Sequence, residues 1–540
     1  MTSSSDQITG ACMIAGEATM GLGGAFRAVD PRTGEEFGPV FHDASVDQVD
    51  AAVEAAAHAA RALALVDAER RADLLDAIAD ALEARRPAIV AIADAETALG
   101  TVRLEGELSR STSQFRYFAR AVRTGDVVGA IIDPADPDAG PVPRPDLRRM
   151  KVPVGPVGVF GASNFPLAFS VAGGDTASAF AAGCPVVVKG HPAHPGTSEL
   201  TARAISDAVA ASGMPAGTFS LVHGVDLGVS RTLVLADALR GVGFTGSERA
   251  GRALFDLAAG RELPIPVYAE MGSLNPIFVT PATIAARAES VADGLAAAIA
   301  LGNGQFCTKP GVIFLPEGPA EAFIGLLATR LEATAAVPML HPGIGSAFDS
   351  CVDASSSTRG VEVRVKVAGD GGTVRGPILM VTDLDTFLRE DDLRREHFGP
   401  ATIVVRSDPD RWASALAALP GNLTATIHGE PADHDAVADL IRAIVENAGR
   451  AIWNGYPPGV AVTDAQHHGG PYPAATSSAH TSVGVTSIER WLRPVAYQGF
   501  PDGTLPPELQ DANPRGIRRL VAGRWSDRPI DRNDPSGGLA

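Results

Sequence analysis

Cysteine is scarce in this chain: Cys12, Cys184, Cys307 and Cys351 are the four among 540 residues. That excludes a disulfide scaffold, and no C-x-x-C spacing offers a thiol metal or redox site. Long basic runs are missing too. Lys and Arg number 45 against 63 Asp and Glu, a net charge of −18, so neither nucleic acid nor an anionic membrane is an expected partner. No apolar stretch reaches the roughly 20 residues that a bilayer crossing needs. The nearest, GVFGASNFPLAFSVAGG, is interrupted by Ser163, Asn164 and Pro166. The start, MTSSSDQITGACMIAGEATM, has no basic segment leading into an apolar one, so the expectation is a cytoplasmic protein without a secretory leader.

What is present is enough to fold. Apolar residues make up 45% of the chain, and its length exceeds one hydrophobic core, so two or three domains are expected. Residues 45–125 carry apolar positions at three- and four-residue intervals and read as helices. DPADPDAGPVPRPDLRR (133–149) interrupts that pattern and marks a boundary. Between 151 and 270 the runs VGVFG, PVVVKG, FSLVHG and GVGFTG alternate with helical segments at 197–213 and 228–241. Unalternating apolar strands separated by helices predict a parallel sheet covered on both faces, a doubly wound α/β unit. A second alternation follows, from PIFVT (276–280) through helices at 282–301 and 319–334 to ATIVVR and ATIHGE. ERWLRPVAYQGF (489–500) reads as a late strand, and 501–540 as a tail.

Several residues could carry chemistry. Cys307 follows a Gly-rich turn in LGNGQFCTKPG, where backbone N–H groups and a cation such as Lys309 would lower a thiol pKa. The bland alternative is a buried apolar cysteine, which is the reading for Cys184. Glu270, in YAEMGSLNP, has an apolar, Gly-flanked setting in which desolvation would raise its pKa toward that of a general base. In GFTGSERAG, Gly246 and Gly251 suit a phosphate-binding turn, and Ser247 stands at the expected helix N-cap. Lys189 ends the strand PVVVK, at the crevice where such sheets bind ligands. The loop histidines His191, His194, His467 and His468 lack neighbouring carboxylates or thiols, so no metal is expected.

Together these segments resemble the aldehyde dehydrogenase superfamily from about residue 25 to 500. The likeness rests on SNFP (163–166), VVVKGHP (186–192), GFTGS (243–247), EMGSLNP (270–276), GQFCT (304–308) and EHFGP (396–400), in that order. The texture around SNFP and the endings HGGPYPA and SIERWLRPVAYQ resemble the 2,5-dioxovalerate (α-ketoglutarate semialdehyde) dehydrogenase branch, and also an NADP-preferring fatty-aldehyde dehydrogenase.

That resemblance implies two doubly wound α/β domains, one for the cofactor (1–127 with 151–270) and one catalytic (271–487). A small bridging β element (128–150 with 488–500) would serve oligomerisation as a homodimer or homotetramer. It implies Cys307 as nucleophile, Asn164 with the Cys307 backbone N–H as oxyanion hole, and Glu270 as the base that activates water. Lys189 and Glu396 would hold the cofactor riboses, Ser247 the pyrophosphate, and Phe398 would pack near the nicotinamide. Pro192 stands where relatives often carry a glutamate that repels a 2′-phosphate. NADP is therefore expected to be accepted or preferred, with nearby His191 favouring the phosphate and NAD possible. Phe165, Phe169 and Phe306 would line the aldehyde tunnel. Arg148, with Arg144 and Arg149, is a candidate contact for a distal carboxylate, although neutralising the acidic Pro-rich segment is the favoured reading of arginines there. The implied reaction is NAD(P)-dependent oxidation of an aldehyde to an acid, foremost α-ketoglutarate semialdehyde to 2-oxoglutarate. A broad fatty- or aromatic-aldehyde dehydrogenase and a non-catalytic nucleotide-binding protein are the alternatives.

Overall fold

The computed structural model describes residues 6–531. Its first sheet has seven strands, in the order Val267–Glu270, Gly241–Thr245, Val157–Phe160, Val186–Lys189, Phe219–Val222, Ala11–Ile14 and Glu17–Met20. The first five run parallel, and the N-terminal hairpin adds antiparallel to the edge. Val157–Phe160 and Phe219–Val222 are buried at every position, as strands with helices on both faces must be. The strand order reverses between Val157–Phe160 and Gly241–Thr245. At such a switch point the loops leaving the two carboxyl ends diverge and open a crevice. Those loops are Gly161–Asn164 and Gly246–Ser247.

Residues 45–125 form four helices: Val46–Leu63, Ala68–Ala84, Arg86–Thr97 and Thr101–Thr124. Ser45 caps the first by accepting from Gln48 N, and Asp67 caps the second by accepting from Arg70 N. Their apolar faces join one core with the first sheet, through Leu75, Ile78, Leu108, Phe115, Val157 and Val188. The helix expected over 228–241 stops at Leu235, because Ala236 is extended and the chain must turn into the strand at Gly241.

The second sheet also has seven strands: Glu362–Lys366, Ile378–Asp383, Ala401–Ser407, Val312–Pro316, Ile277–Val279, Asn422–His428 and Ala448–Trp453. All pair in parallel except the first, which runs antiparallel. The strands within 337–383 and the helix Pro342–Ser356 were not anticipated.

A third, five-stranded sheet is ordered Leu492–Gln498, Leu147–Pro153, Ile131–Asp133, Arg519–Val521 and Arg524–Ser526. The first three occupy the expected bridging segments. The last two correct the reading of 501–540 as a tail: Leu520 pairs with Ile131, and Arg519 is fully buried, donating to the Gln510 and Arg528 carbonyls. The remainder of that segment, 532–540, lies outside the described residues. Among the described residues no helix is long and apolar enough to cross a membrane.

Candidate active site

The switch-point crevice opens into a cavity of about 690 Å³ that runs between the two large sheets. Its wall takes Asn164, Phe165 and Phe169 from the loop after the first parallel strand. Pro192, Gly246 and Ser247 come from the neighbouring strand ends, Glu270 and Cys307 stand at the centre, and Glu396 and Phe398 come from the second sheet. These ten were singled out in the sequence, and folding brings them together. Lys189 and Gly251 stand one step behind the wall, and Phe306 touches it through Phe165, with ring centroids 5.1 Å apart.

The Cys307 loop is held from two sides. At Gly304 the chain is left-handed (φ +66°), and a Cβ there would strike the Gly399 carbonyl, so the loop can lie against the EHFGP segment only with glycine. Asn275, itself left-handed at φ +50°, donates its side-chain amide to the carbonyls of Cys307 (2.8 Å) and Lys309 (3.0 Å). Asn422 Oδ1 in turn accepts from the Leu274 and Asn275 N–H groups. Asn275 is an unforeseen positioning residue that folding places under Cys307.

Asn164 is 7% exposed, and its amide donates to the Gln305 carbonyl at 2.8 Å. A side-chain amide carries two N–H groups, so one remains for a developing oxyanion beside Cys307.

The largest departure from expectation is His468. Its Nε2 lies 2.9 Å from Glu270 Oε1 and 3.6 Å from Cys307 Sγ, with all three side chains under one roof. Ser482 donates its hydroxyl to Glu270 Oε2. Nε2 can accept the thiol proton or donate a proton to Glu270, but not both at once, so its tautomer decides which neighbour it serves. Burial pushes Glu270 up, yet His468, Ser482 and Cys307 outweigh it and hold the carboxyl below its usual range. This corrects the expected upward shift: desolvation acts, but the partners win. Burial, then Glu270 and Glu396, push the Cys307 thiol well up, so at rest it holds its proton.

Among the described residues, this trio also places an oxygen, a nitrogen and a sulfur within 4.8 Å of one another, the spacing of a shared ion. The sequence argument against metal rested on His467 and His468 lacking such company; the fold supplies it from residues 161 and 198 positions away.

Three further expectations are corrected. Lys309 neither faces the thiol nor reaches solvent: it is 2% exposed and donates to the Ala401 carbonyl at 2.6 Å. Burial pulls it down to about 8 and pushes its charge partner Glu396 up to about 7, each opposing the other's shift. His191 does not offer a cation: it is half-buried in the cavity wall, desolvation pushes its titration well down, and its Nδ1 accepts from Ala193 N at 3.1 Å. Arg148 is remote from the cavity. It lies in the third sheet, 2% exposed, paired with Asp146, Asp502 and Asp511. The bland reading of that arginine, neutralising acidic neighbours, is the one the fold realises.

The crevice has the features of a dinucleotide site. The helix Glu248–Ala259 points its N-terminus at the cavity, capped by Ser247 Oγ, which accepts from Ala250 N at 3.3 Å. A Cβ at Gly251 would lie 2.6 Å from Met271 Sδ, so glycine lets this helix pack close enough to present its free N–H groups. Lys189, pulled down to about 8 by burial, ends the strand on the far side of Val157–Phe160.

A model of the aldehyde dehydrogenase family matches residues 20–472. The chain belongs to that family. It is 47% identical to α-ketoglutaric semialdehyde dehydrogenase 2 of Azospirillum brasilense over 96% of this chain and 99% of that protein. It is 43% identical to α-ketoglutaric semialdehyde dehydrogenase of Acinetobacter baylyi over 90% of this chain and 93% of that one. Among solved structures, a 3,6-anhydro-L-galactose dehydrogenase in complex with NAP matches with a TM-score of 0.78 at 20% identity, covering 90% of this chain and 99% of that chain. The aldehyde dehydrogenase fold is thereby shown, and with it an oxidoreductase of the aldehyde group that uses NAD(P).

Proposed function

We propose that this aldehyde dehydrogenase oxidises α-ketoglutarate semialdehyde to 2-oxoglutarate with NADP, NAD serving less well. The substrate assignment is supported by the near full-length likeness to the Azospirillum and Acinetobacter enzymes of that name. The cofactor preference is supported by Pro192, which leaves no carboxylate beside His191 to oppose a 2′-phosphate. Arg249, which lines the same cavity, would supply the cation that neutral His191 does not.

The observation that carries the chemistry is the convergence of Cys307, His468 and Glu270 on one cavity with Asn164. His468 Nε2 takes the Cys307 proton, and the thiolate attacks the aldehyde carbon to form a thiohemiacetal. The free N–H of Asn164 and the Cys307 backbone N–H stabilise the oxyanion as it develops. Ser247 and the helix N-terminus would hold the pyrophosphate, Lys189 and Glu396 the riboses, and Phe398 the nicotinamide. The bound cofactor supplies the acceptor that makes the thioester oxidation level reachable. Glu270, oriented by Ser482 and His468, then draws a proton from water, which hydrolyses the thioester to the acid.

A homodimer or homotetramer in the cytoplasm completes the reading. It is supported by two open strand edges, Leu492–Gln498 in the third sheet and Ala448–Trp453 in the second, the latter ending in half-exposed Trp453. The test is the initial rate of reduced-nicotinamide absorbance with α-ketoglutarate semialdehyde and with a medium-chain aliphatic aldehyde, each with NADP and NAD. Semialdehyde turnover above the aliphatic rate, faster with NADP, is expected. The reverse order would move the enzyme to fatty aldehydes, and no turnover of either would leave only the fold.

A further inference from the structure

We propose that Arg110, assisted by Arg103, forms the subsite that binds the distal carboxylate of the aldehyde substrate; this rests on the substrate class proposed above. Both lie on the helix Thr101–Thr124, seven residues apart and so on one face. That face turns toward the loop carrying Asn164. Arg103 Nη2 donates to the Asn164 carbonyl at 2.6 Å, and its guanidinium centre is 5.0 Å from the Phe165 ring and 4.8 Å from that of Phe306. Arg110 sits 5.4 Å from the ring of Phe169, which in turn is 6.4 Å from His468. The two cations therefore back the aromatic wall that flanks Cys307.

Their hydrogen-bonding capacity is not used up. Arg103 Nη1 and Arg110 Nε and Nη2 are buried donors without a hydrogen-bond partner, while Arg110 Nη1 donates to the Val460 carbonyl at 2.6 Å. One carboxylate faces the pair. Glu107 Oε1 is committed to the N–H groups of Leu167 and Ala168, and Oε2 stands 4.0 Å from Arg103 Nε. Arg103 and Arg110 therefore keep buried donors that Glu107 does not satisfy. Buried charge is costly until paired, and guanidinium cannot escape the cost by losing its proton. Burial does pull both arginines down, and the negative charge that Arg110 senses comes from Glu107, Cys307 and Glu270. A third arginine nearby, Arg450, commits both terminal nitrogens to the Gly459 and Pro457 carbonyls and keeps only its buried Nε without a partner, so it cannot offer a two-pronged grip.

The anion that this arrangement lacks is planar, accepts two parallel N–H bonds, and belongs to a molecule short enough to reach Cys307 with its other end. A carboxylate on an aldehyde of a few carbons meets all three conditions.

The test compares wild type with Arg110→Met, Arg110→Lys and Arg103→Met on α-ketoglutarate semialdehyde and on pentanal, with glutarate as a competitive inhibitor. In Arg110→Met the ratio of kcat/KM for semialdehyde to that for pentanal is expected to fall roughly 10- to 100-fold, mostly through KM, as loss of a charged hydrogen bond predicts. Glutarate inhibition weakens in step, Lys restores part of the ratio, and Arg103→Met shows a smaller fall. An unchanged ratio, with both aldehydes slowed together, overturns the subsite and makes the arginines supports of the wall or of the thiolate. Undiminished semialdehyde turnover in Arg110→Met overturns the subsite alone. A wild type that oxidises pentanal but not the semialdehyde overturns the substrate reading, and the subsite with it.

Discussion

Replacing His468 by Leu tests the coupling of Glu270 and Cys307 to the imidazole most directly. Leucine fills most of the imidazole volume at a site 1% exposed, but neither donates nor accepts. Glu270, 4% exposed, would then keep Ser482 and Cys307 as partners and lose the 2.9 Å contact that lowers it most. A hydrogen bond to a charged group is worth about 1.5–3 kcal/mol. Without it, desolvation is left with less opposition and Glu270 should rise. The sign follows from the direction of the native shift. A carboxyl held below its usual range keeps its base form as pH falls; one left to desolvation gains a proton sooner. The acidic limb of kcat, measured where thioester hydrolysis limits turnover, should therefore move to higher pH. A burst of reduced cofactor before the steady state identifies that regime. Iodoacetamide labelling of Cys307 should slow as well, because its proton has lost an acceptor 3.6 Å away. An acidic limb that stays where it is in His468→Leu would refute the coupling of Glu270 to the imidazole.

Three further outcomes follow from the same geometry. Glu270→Gln keeps the shape but cannot accept a proton, so an acyl-enzyme on Cys307 should accumulate and be visible by mass spectrometry; normal turnover would remove Glu270 from hydrolysis. Lys309→Met takes the cation from Glu396 and the donor from the Ala401 carbonyl, so Glu396 rises further and KM for the cofactor should increase by about tenfold, the cost of one charged hydrogen bond. Cys307 labelling should barely change in that variant, since Lys309 does not face the thiol. Gly251→Val drives side-chain carbon into Met271 Sδ, 2.6 Å from where its Cβ would stand, so titration calorimetry should show weaker NADP binding; unaltered binding would mean that the Glu248–Ala259 helix does not need its close seat.

What the sequence determined by itself was local or strongly periodic. The four helices over 45–125, the buried parallel strands, the Ser247 cap and the Gly-rich turn before Cys307 depend on residues within a few positions of one another, so spacing and residue type suffice to read them. The ordered motifs then carried the family and the residues that meet in the cavity. What only the tertiary structure decided were contacts between distant residues. His468 lies 161 positions from Cys307, and nothing in HHGGPYP says that its chain segment returns to strand Val267–Glu270, where Met271 N donates to the Ala474 carbonyl. Arg103 and Arg110 read as ordinary charges on a helix face until the fold set that face against Asn164 and Phe169. Lys309 and Arg148 erred in the opposite way: each is a cation near a suggestive motif, and each is spent on a partner, Glu396 or three aspartates, supplied by other elements. Strands Arg519–Val521 and Arg524–Ser526 are too short to show a period and exist because Ile131–Asp133 offers them an edge. Local chemistry selects which groups are present; long-range packing decides which of them face one another, and the pKa shifts and free donors of the site follow from that second choice.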